Sequence, residues 1–309
     1  MSGLLLSLQS GIAQGIIWGI MALGVYISFR ILDIADMTVD GSFASGGAVC
    51  AICIVNGVNP LLSIFLAMIV GALCGLITGL LITKFEIPAI LAGILSQIGL
   101  YSINLRIMGR SNLPLMQSST IFKSISEMSG LSSSQATLVV GAIIAIIVIS
   151  ILYWFFGTEI GSAIRATGNN ERMASALSVN TEHTKIISIM IANALIAFSG
   201  ALVSQSQGYA DVKMGVGAIV IGLASIVIGE VLFGNKGGFK LRLTSIVVGS
   251  IIYRLIIAIV LRLGLQTDDL KLFSAILVGL ALALPVMMQK HRQVSLYKKL
   301  TEKEPNHNA

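Results

Sequence analysis

Charge is what this sequence has least of. Of its 309 residues, 11% are Asp, Glu, Lys or Arg: 14 acids and 20 bases. A soluble globular domain carries about 25%. A soluble fold of this length cannot cover its surface with so few, so a soluble enzyme and a disordered chain are both excluded. Cysteine is equally scarce, with three in all, which excludes a disulfide-built secreted module. Cys50 and Cys53 form a C-x-x-C with no second pair and no nearby histidine, and cysteines in apolar stretches behave as small hydrophobes. Histidine occurs three times, at His183, His291 and His307, with no catalytic or metal-ligand spacing. No basic stripe alternates with aromatics, so nucleic acid is not a partner. No Gly-x4-Gly-Lys-Ser/Thr occurs; 234–238 is glycine-rich, but no Gly-Lys-Ser/Thr follows it. No basic n-region or small-residue cleavage site precedes the first apolar run, so residues 1–29 do not read as a signal peptide.

What is present is long apolar runs, with 55% of residues hydrophobic. The runs are continuous and do not alternate, which favours helices over a membrane β-barrel. A span needs roughly 20 apolar residues. Nine candidates meet that need: 11–29, 38–55, 61–83, 88–108, 136–156, 183–205, 216–233, 243–263 and 272–288. The expected fold is all-α and polytopic, with about nine transmembrane helices (eight to ten). It forms one membrane domain over 1–289, with a basic cytoplasmic tail at 290–309. With that tail inside, the cytoplasmic side holds 13 basic residues and the outer side six, leaving Arg254 within a span. The positive-inside rule then puts the N-terminus outside and the C-terminus inside. Asp40, Gly41, Ser42, Ser45, Gly46 and Gly47 crowd the start of the second span, which predicts a broken or buried helix there. Gly71, Gly75 and Gly79 repeat at four residues, a small-residue stripe for helix packing within one subunit. The segments 40–55 and 217–233 are both Gly/Ser-rich beside an acid and form a faint internal pair.

Two connections are long: 109–135, which is Ser-rich, and 157–182. The second is cytoplasmic under this threading. Ile160, Ala163, Ile164 and Thr167 fall at i, i+3, i+4 and i+7, giving one apolar or small helical face with Arg165 on another. Gly168, Asn169 and Asn170 stop that helix. Glu171 opens a second one, carrying Met173, Ala174 and Leu177. Two short helices at a sharp turn read either as a surface loop or as a docking element for a cytoplasmic partner.

Arg165-Ala166, Gly168-Asn169, Met173-Ala174-Ser175 and Leu177-Ser178-Val179-Asn180 resemble the coupling loop of ATP-binding cassette (ABC) importer permeases of the branched-chain amino-acid and ribose group. Ser178 stands where that pattern has Gly. The likeness continues through Ala197-Phe198-Ser199-Gly200-Ala201-Leu202 and Val227-Ile228-Gly229-Glu230, with Gly234, Gly237 and Gly238. Thr38-Val39-Asp40-Gly41-Ser42-Phe43 resembles a narrower branch, permeases paired with lipoprotein receptors for aromatic amino acids. The resemblance implies a permease subunit in a bacterial cytoplasmic membrane. A second copy would complete a homodimer. A cytoplasmic ABC ATPase dimer would bind ATP and Mg, and an external or lipoprotein binding protein would deliver the cargo. This chain would bind no cofactor and catalyse nothing. Its ATPase-coupling residues would be Ile160, Gly161, Ile164, Arg165, Ala166, Gly168, Asn169, Asn170, Met173, Ala174 and Leu177.

Ionisable and polar groups inside spans mark a pathway or a structural tether. Those candidates are Asp40, Ser42 and Ser45 on the second span, Gln97 and Asn104 sharing a face of the fourth, Glu230, and Arg254 about 17 Å into its span. Glu230, late in the preceding span, is a candidate partner for Arg254, though it lies closer to the cytoplasmic end and would have to snorkel to reach it. The alternative to an ABC permease is a self-contained ion- or proton-coupled secondary transporter, in which Asp40, Glu230 and Arg254 would be the ion sites.

Overall fold

Long apolar runs in a medium without water must satisfy their own backbone, so they close into helices. A computed structural model describes residues 2–115, 119–234, 238–262, 272–280 and 283. The basic tail and part of the ninth candidate span lie outside them. Among the described residues, six helices are long and apolar enough to cross a membrane. The first, α1 (Ser2–Tyr26), runs on through a π-helical turn, Ile27–Ile31. The others are α3 (Pro60–Thr83), α4 (Ala89–Met108), α6 (Ser133–Phe155), α9 (Thr181–Gln207) and α11 (Phe239–Arg262). Two shorter apolar helices, α2 (Val39–Val55) and α10 (Ala218–Phe233), complete the bundle.

α1 and α9 are the most enclosed of the six. α3 and α2 pack on α9, while α11, α6 and α10 pack on α1. α4 and α6 leave Ile98, Ile103, Ile146 and Ile151 exposed. In a membrane such faces meet lipid or another protein. The glycine stripe of α3 lies on α9. A Cβ at Gly75 would sit 2.5 Å from the Ile189 carbonyl, and one at Gly79 would sit 3.2 Å from Ile186 Cα. Small residues there let the two backbones touch, as the sequence suggests.

The break expected in the second span falls in front of it. α2 is continuous and mostly buried, and the non-helical backbone is the link 32–38. Its glycines serve close packing instead: a Cβ at Gly46 would strike the Ala197 carbonyl of α9. The 109–135 connection is also more ordered than its serines suggest. It forms β1 (Asn112–Pro114) and α5 (Ile121–Ser129), the latter capped by the Thr120 hydroxyl accepting from Lys123 N at 3.2 Å. β1 pairs antiparallel with β2 (Tyr209–Asp211), with Leu113 opposite Ala210. This two-stranded ribbon and α5 lie at the C-terminal end of α9. The two short helices α7 (Glu159–Asn169) and α8 (Glu171–Ala176) lie at its N-terminal end. The bundle therefore has a ribbon end and a platform end.

Candidate functional site

At the platform end, the sequence around 157–182 folds as two capped helices. The Thr158 hydroxyl accepts from Gly161 N and starts α7. Asn170 closes α7, and its side-chain oxygen accepts from Met173 N at 3.0 Å, opening α8. One residue thus ends one helix and begins the next, which fixes the angle between them. Ser178 follows with φ +64. The left-handed turn that glycine would favour is kept by serine, at a cost of about 1–2 kcal/mol.

The inward face of α7 is Gly161, Ile164 and Thr167. The stripe expected from spacing is therefore rotated, and Ile160 points outward. The reason is Gly161, which lies against the Phe155 carbonyl and 2.5 Å from Phe156 Cα, measured from where a Cβ would stand. Only glycine allows that approach, and it turns Ile160 away. Gly168 likewise lies against the Ile31 carbonyl at the end of the π turn. The Thr167 and Thr184 hydroxyls are 3.0 Å apart, Lys185 pairs with Glu171 at 2.5 Å, and Arg165 stands 5.7 Å above the Phe239 ring. α7 and α8 are thereby fastened to the ends of α1, α9 and α11. Their free surface carries Ile160 at 51% exposure, Met173 at 53% and Leu177 at 69%, with Arg165, Glu171 and Arg172 also exposed. Ala174 is buried, and Ala166 is half-buried. Asn169 lines a 680 Å3 cavity with Arg30, Asp33, Arg165 and Arg242.

A lattice of buried polar groups crosses the middle of the bundle. Asp36, 1% exposed, accepts from Thr38 N at 2.8 Å and from Asn193 Nδ2 at 2.7 Å. Asn193 Oδ1 in turn accepts from the Ser42 hydroxyl at 2.6 Å. The Thr38 and Thr78 hydroxyls are 2.8 Å apart, and Thr78 donates to Ser96 at the same distance. The lattice therefore joins α2, α3, α4 and α9 to the link 32–38. Beside it, Asp40 accepts from Gly217 N at 2.8 Å and Ile219 N at 3.0 Å, capping α10 from α2. The faint internal pair seen in the sequence thus meets in space: the two short helices touch at their N-termini.

The remaining expected pathway groups scatter. Ser45 donates to Gly41 O within its own helix. Gln97 is half-buried, with its backbone against Gly41. Asn104 is fully buried, and neither of its amide atoms has a partner among the described residues. Glu230 does not approach Arg254; it pairs with Arg30 at 2.5 Å at the half-exposed platform end. Arg254 lies 4.0 Å above the Trp18 ring, toward the ribbon end.

The family model described as "Branched-chain amino acid transport system / permease component" matches residues 7–287. The chain belongs to that family. This permease is 39% identical to the tyrosine transport system permease protein of Clostridioides difficile over 279 residues, 90% of each chain. It is 30% identical to an uncharacterised protein of Rickettsia prowazekii, covering 89% of this chain and 96% of that one. Against a probable branched-chain amino acid transport permease protein of Methanocaldococcus jannaschii the identity is 26%, over 60% of this chain and 61% of that one. No solved structure matches. It is a multi-pass protein of the bacterial cytoplasmic membrane and a transport subunit.

Asp36 and Asn193 of this permease escape a reading by sequence. Asp36 sits in a link that span length assigns to the surface, and Asn193 sits singly in an apolar run. The one available signal was that lone amide within a span, because a polar group there needs a partner.

Proposed function

We propose that this permease is the membrane subunit of an ABC importer, working as a homodimer on a cytoplasmic ATPase dimer that binds ATP and Mg. Its cargo is an amino acid with an aromatic side chain, delivered by an external or lipoprotein binding protein. The observation that carries the reading is the α7–α8 platform, which pairs an exposed apolar knob with a charged rim on a mount tied to three helices. Such a knob is suited to a groove on a partner. The relative named for tyrosine transport supports the aromatic cargo.

The platform end faces the cytoplasm in this reading, with the N-terminus outside. Arg30, Lys84, Arg165, Arg172, Lys185, Lys240 and Arg242 belong to that end, against Arg106, Arg110, Lys123, Lys213 and Arg262 at the other. That bias agrees with the positive-inside rule. Closure of the ATPase moves α7, and α7 carries Ile31 through the Gly168 contact. Five residues beyond Ile31, Asp36 grips Asn193 of α9; four further, Asp40 grips the start of α10. Movement at the platform thus reaches the middle of the bundle along one short stretch of chain, where it opens the path for the cargo.

The test is uptake of labelled L-tyrosine in a transport-null strain given this permease with the ATPase and lipoprotein encoded beside it. Uptake is expected only when the ATPase can hydrolyse ATP. Gradient-driven uptake by vesicles holding this chain alone would overturn the reading in favour of a secondary transporter.

A further inference from the structure

Three buried polar atoms gather where α1 meets α11: Gln14 Oε1, Trp18 Nε1 and Arg254 Nε, none with a hydrogen-bond partner among the described residues. Buried polar atoms are rarely left so, and a group of them needs a reason. Gln14 and Trp18 are four apart on α1 and share a face. α11 comes close enough to join them because α1 is small there; a Cβ at Gly15 would stand 2.6 Å from Ile251 Cα. The Arg254 guanidinium rests on the Trp18 ring. A cation–π contact holds its plane but supplies no counter-charge. A 590 Å3 cavity opens beside them, running from Ser7 and Arg262 at the ribbon end to Gln14 and Arg254. That volume is within the range of small-ligand sites. Trp18 lines a second cavity of 480 Å3 with Tyr209, Asp211 and Lys213, so the Arg254–Trp18 pair stands between the two.

The chemistry of the orphans is specific. Arg254 Nε and Trp18 Nε1 are donors, and one is cationic. Gln14 donates its amide N–H to Ser206 at 3.0 Å, which leaves its oxygen as an acceptor. A cationic donor suits a carboxylate, and a carbonyl oxygen across from it suits an ammonium. We infer that this cavity is a transient binding site for the zwitterionic head of a free α-amino acid, with Arg254 on its carboxylate, Gln14 on its ammonium, and the Trp18 ring backing Arg254. The inference rests on the amino-acid cargo proposed above and gives that cargo a place in the chain.

The test uses the full chain in lipid nanodiscs with Trp154→Phe, which leaves Trp18 as the one tryptophan of two. Its emission is followed during titration with L-phenylalanine, phenethylamine, which lacks the carboxylate, and 3-phenylpropionate, which lacks the ammonium. L-phenylalanine is expected to change the emission to saturation, and each single-charge analogue to bind roughly 10- to 100-fold more weakly, as befits loss of a charged hydrogen bond. Arg254→Gln should weaken L-phenylalanine to the level of phenethylamine and leave phenethylamine itself unchanged. Gln14→Leu should weaken L-phenylalanine and leave 3-phenylpropionate unchanged. That crossed pattern would not come from a merely structural arginine, and Arg254→Lys, which keeps the charge, should fall between. No emission change up to about 10 mM ligand, beyond a millimolar dissociation constant, or an equal loss for all three ligands in each variant, overturns the site. Labelled tyrosine uptake run in parallel separates the two claims. ATP-dependent uptake without binding here overturns the cavity alone, and binding here without ATP-dependent uptake overturns the proposed function alone.

Discussion

Gly168→Ala tests the joint between the platform and α1 by adding a single methyl group. Gly168 lies within α7 at ordinary helical backbone angles, so alanine brings no conformational strain and would add helix propensity of about 0.5–1 kcal/mol. The space decides the sign. The new methyl would press on the Ile31 carbonyl and stand 2.8 Å from Leu32 Cα. Both are backbone, so neither can swing aside as a side chain would. Restoring ordinary contact with the Ile31 carbonyl moves α7 from the end of α1 by about 1.5 Å, and insertion into packed backbone costs about 1–3 kcal/mol. The net is a loss of about 0–2.5 kcal/mol at the joint that fastens the platform to α1. Gly99→Ala is the control, since a Cβ there meets nothing within 4 Å and only the propensity gain remains. Melting of the full chain in detergent should fall by a few degrees for Gly168→Ala and hold or rise for Gly99→Ala. Gly168→Ala should also reach the membrane normally and lose tyrosine uptake. Wild-type melting together with wild-type uptake would refute both the contact and its role.

Asp40→Ala removes both acceptors for Gly217 N and Ile219 N in a partly buried setting, so a loss of about 1–3 kcal/mol is expected from the lost cap and the unpaired donors together. Asp40→Asn, which keeps one acceptor, should melt between Asp40→Ala and wild type; equal melting of all three would remove Asp40 from the α2–α10 joint. Ser178→Gly should raise resistance of the 157–182 segment to proteolysis, because it relieves a φ of +64 worth about 1 kcal/mol, and faster cleavage would contradict that. Glu230→Gln breaks only a half-exposed pair with Arg30, worth at most about 1 kcal/mol, so uptake should persist. Abolished uptake in a stably inserted Glu230→Gln protein would return that residue to the pathway.

Hydropathy alone located seven of these helices to within about four residues, and the body of α1 although that helix begins nine residues earlier, because water exclusion leaves helix as the one local solution to each apolar run. The two-helix platform was legible for the same local reason: its caps, stops and apolar positions lie within a turn or two of one another. What depends on rotation or on distant pairing was not. One glycine contact at Phe155 turns Ile160 outward, and spacing within α7 cannot report it. Glu230 finds Arg30, 200 residues away, rather than Arg254 in the next span. Asp36 finds Asn193 across 157 residues. Neither residue is unusual until the bundle brings them together.

The two acids inside this bundle, among the described residues, are both bound to neutral groups. Asp36 holds a hydroxyl-linked amide, and Asp40 holds backbone N–H at the start of a helix. An acid paired with a cation would be anchored by strong attraction and costly to separate. Acids held by amides and a helix N-terminus keep their hydrogen bonds satisfied while the groups around them shift in concert. That arrangement makes α2, α9 and α10 one polar-linked unit, joined directly to the platform through residues 31–40. The remaining interior charge, Arg254, lies outside that unit on the α1–α11 seam, which is closed by Gly11, Gly15 and Gly19 and by a Ser250 hydroxyl on the Gly15 carbonyl at 2.8 Å. A platform movement that carries the first unit past this seam therefore changes what stands next to Arg254. In the proposed mechanism, the arginine assigned to the carboxylate and the linkage assigned to ATPase coupling lie in adjacent but separate packing layers, so the linkage can shift without carrying the arginine with it.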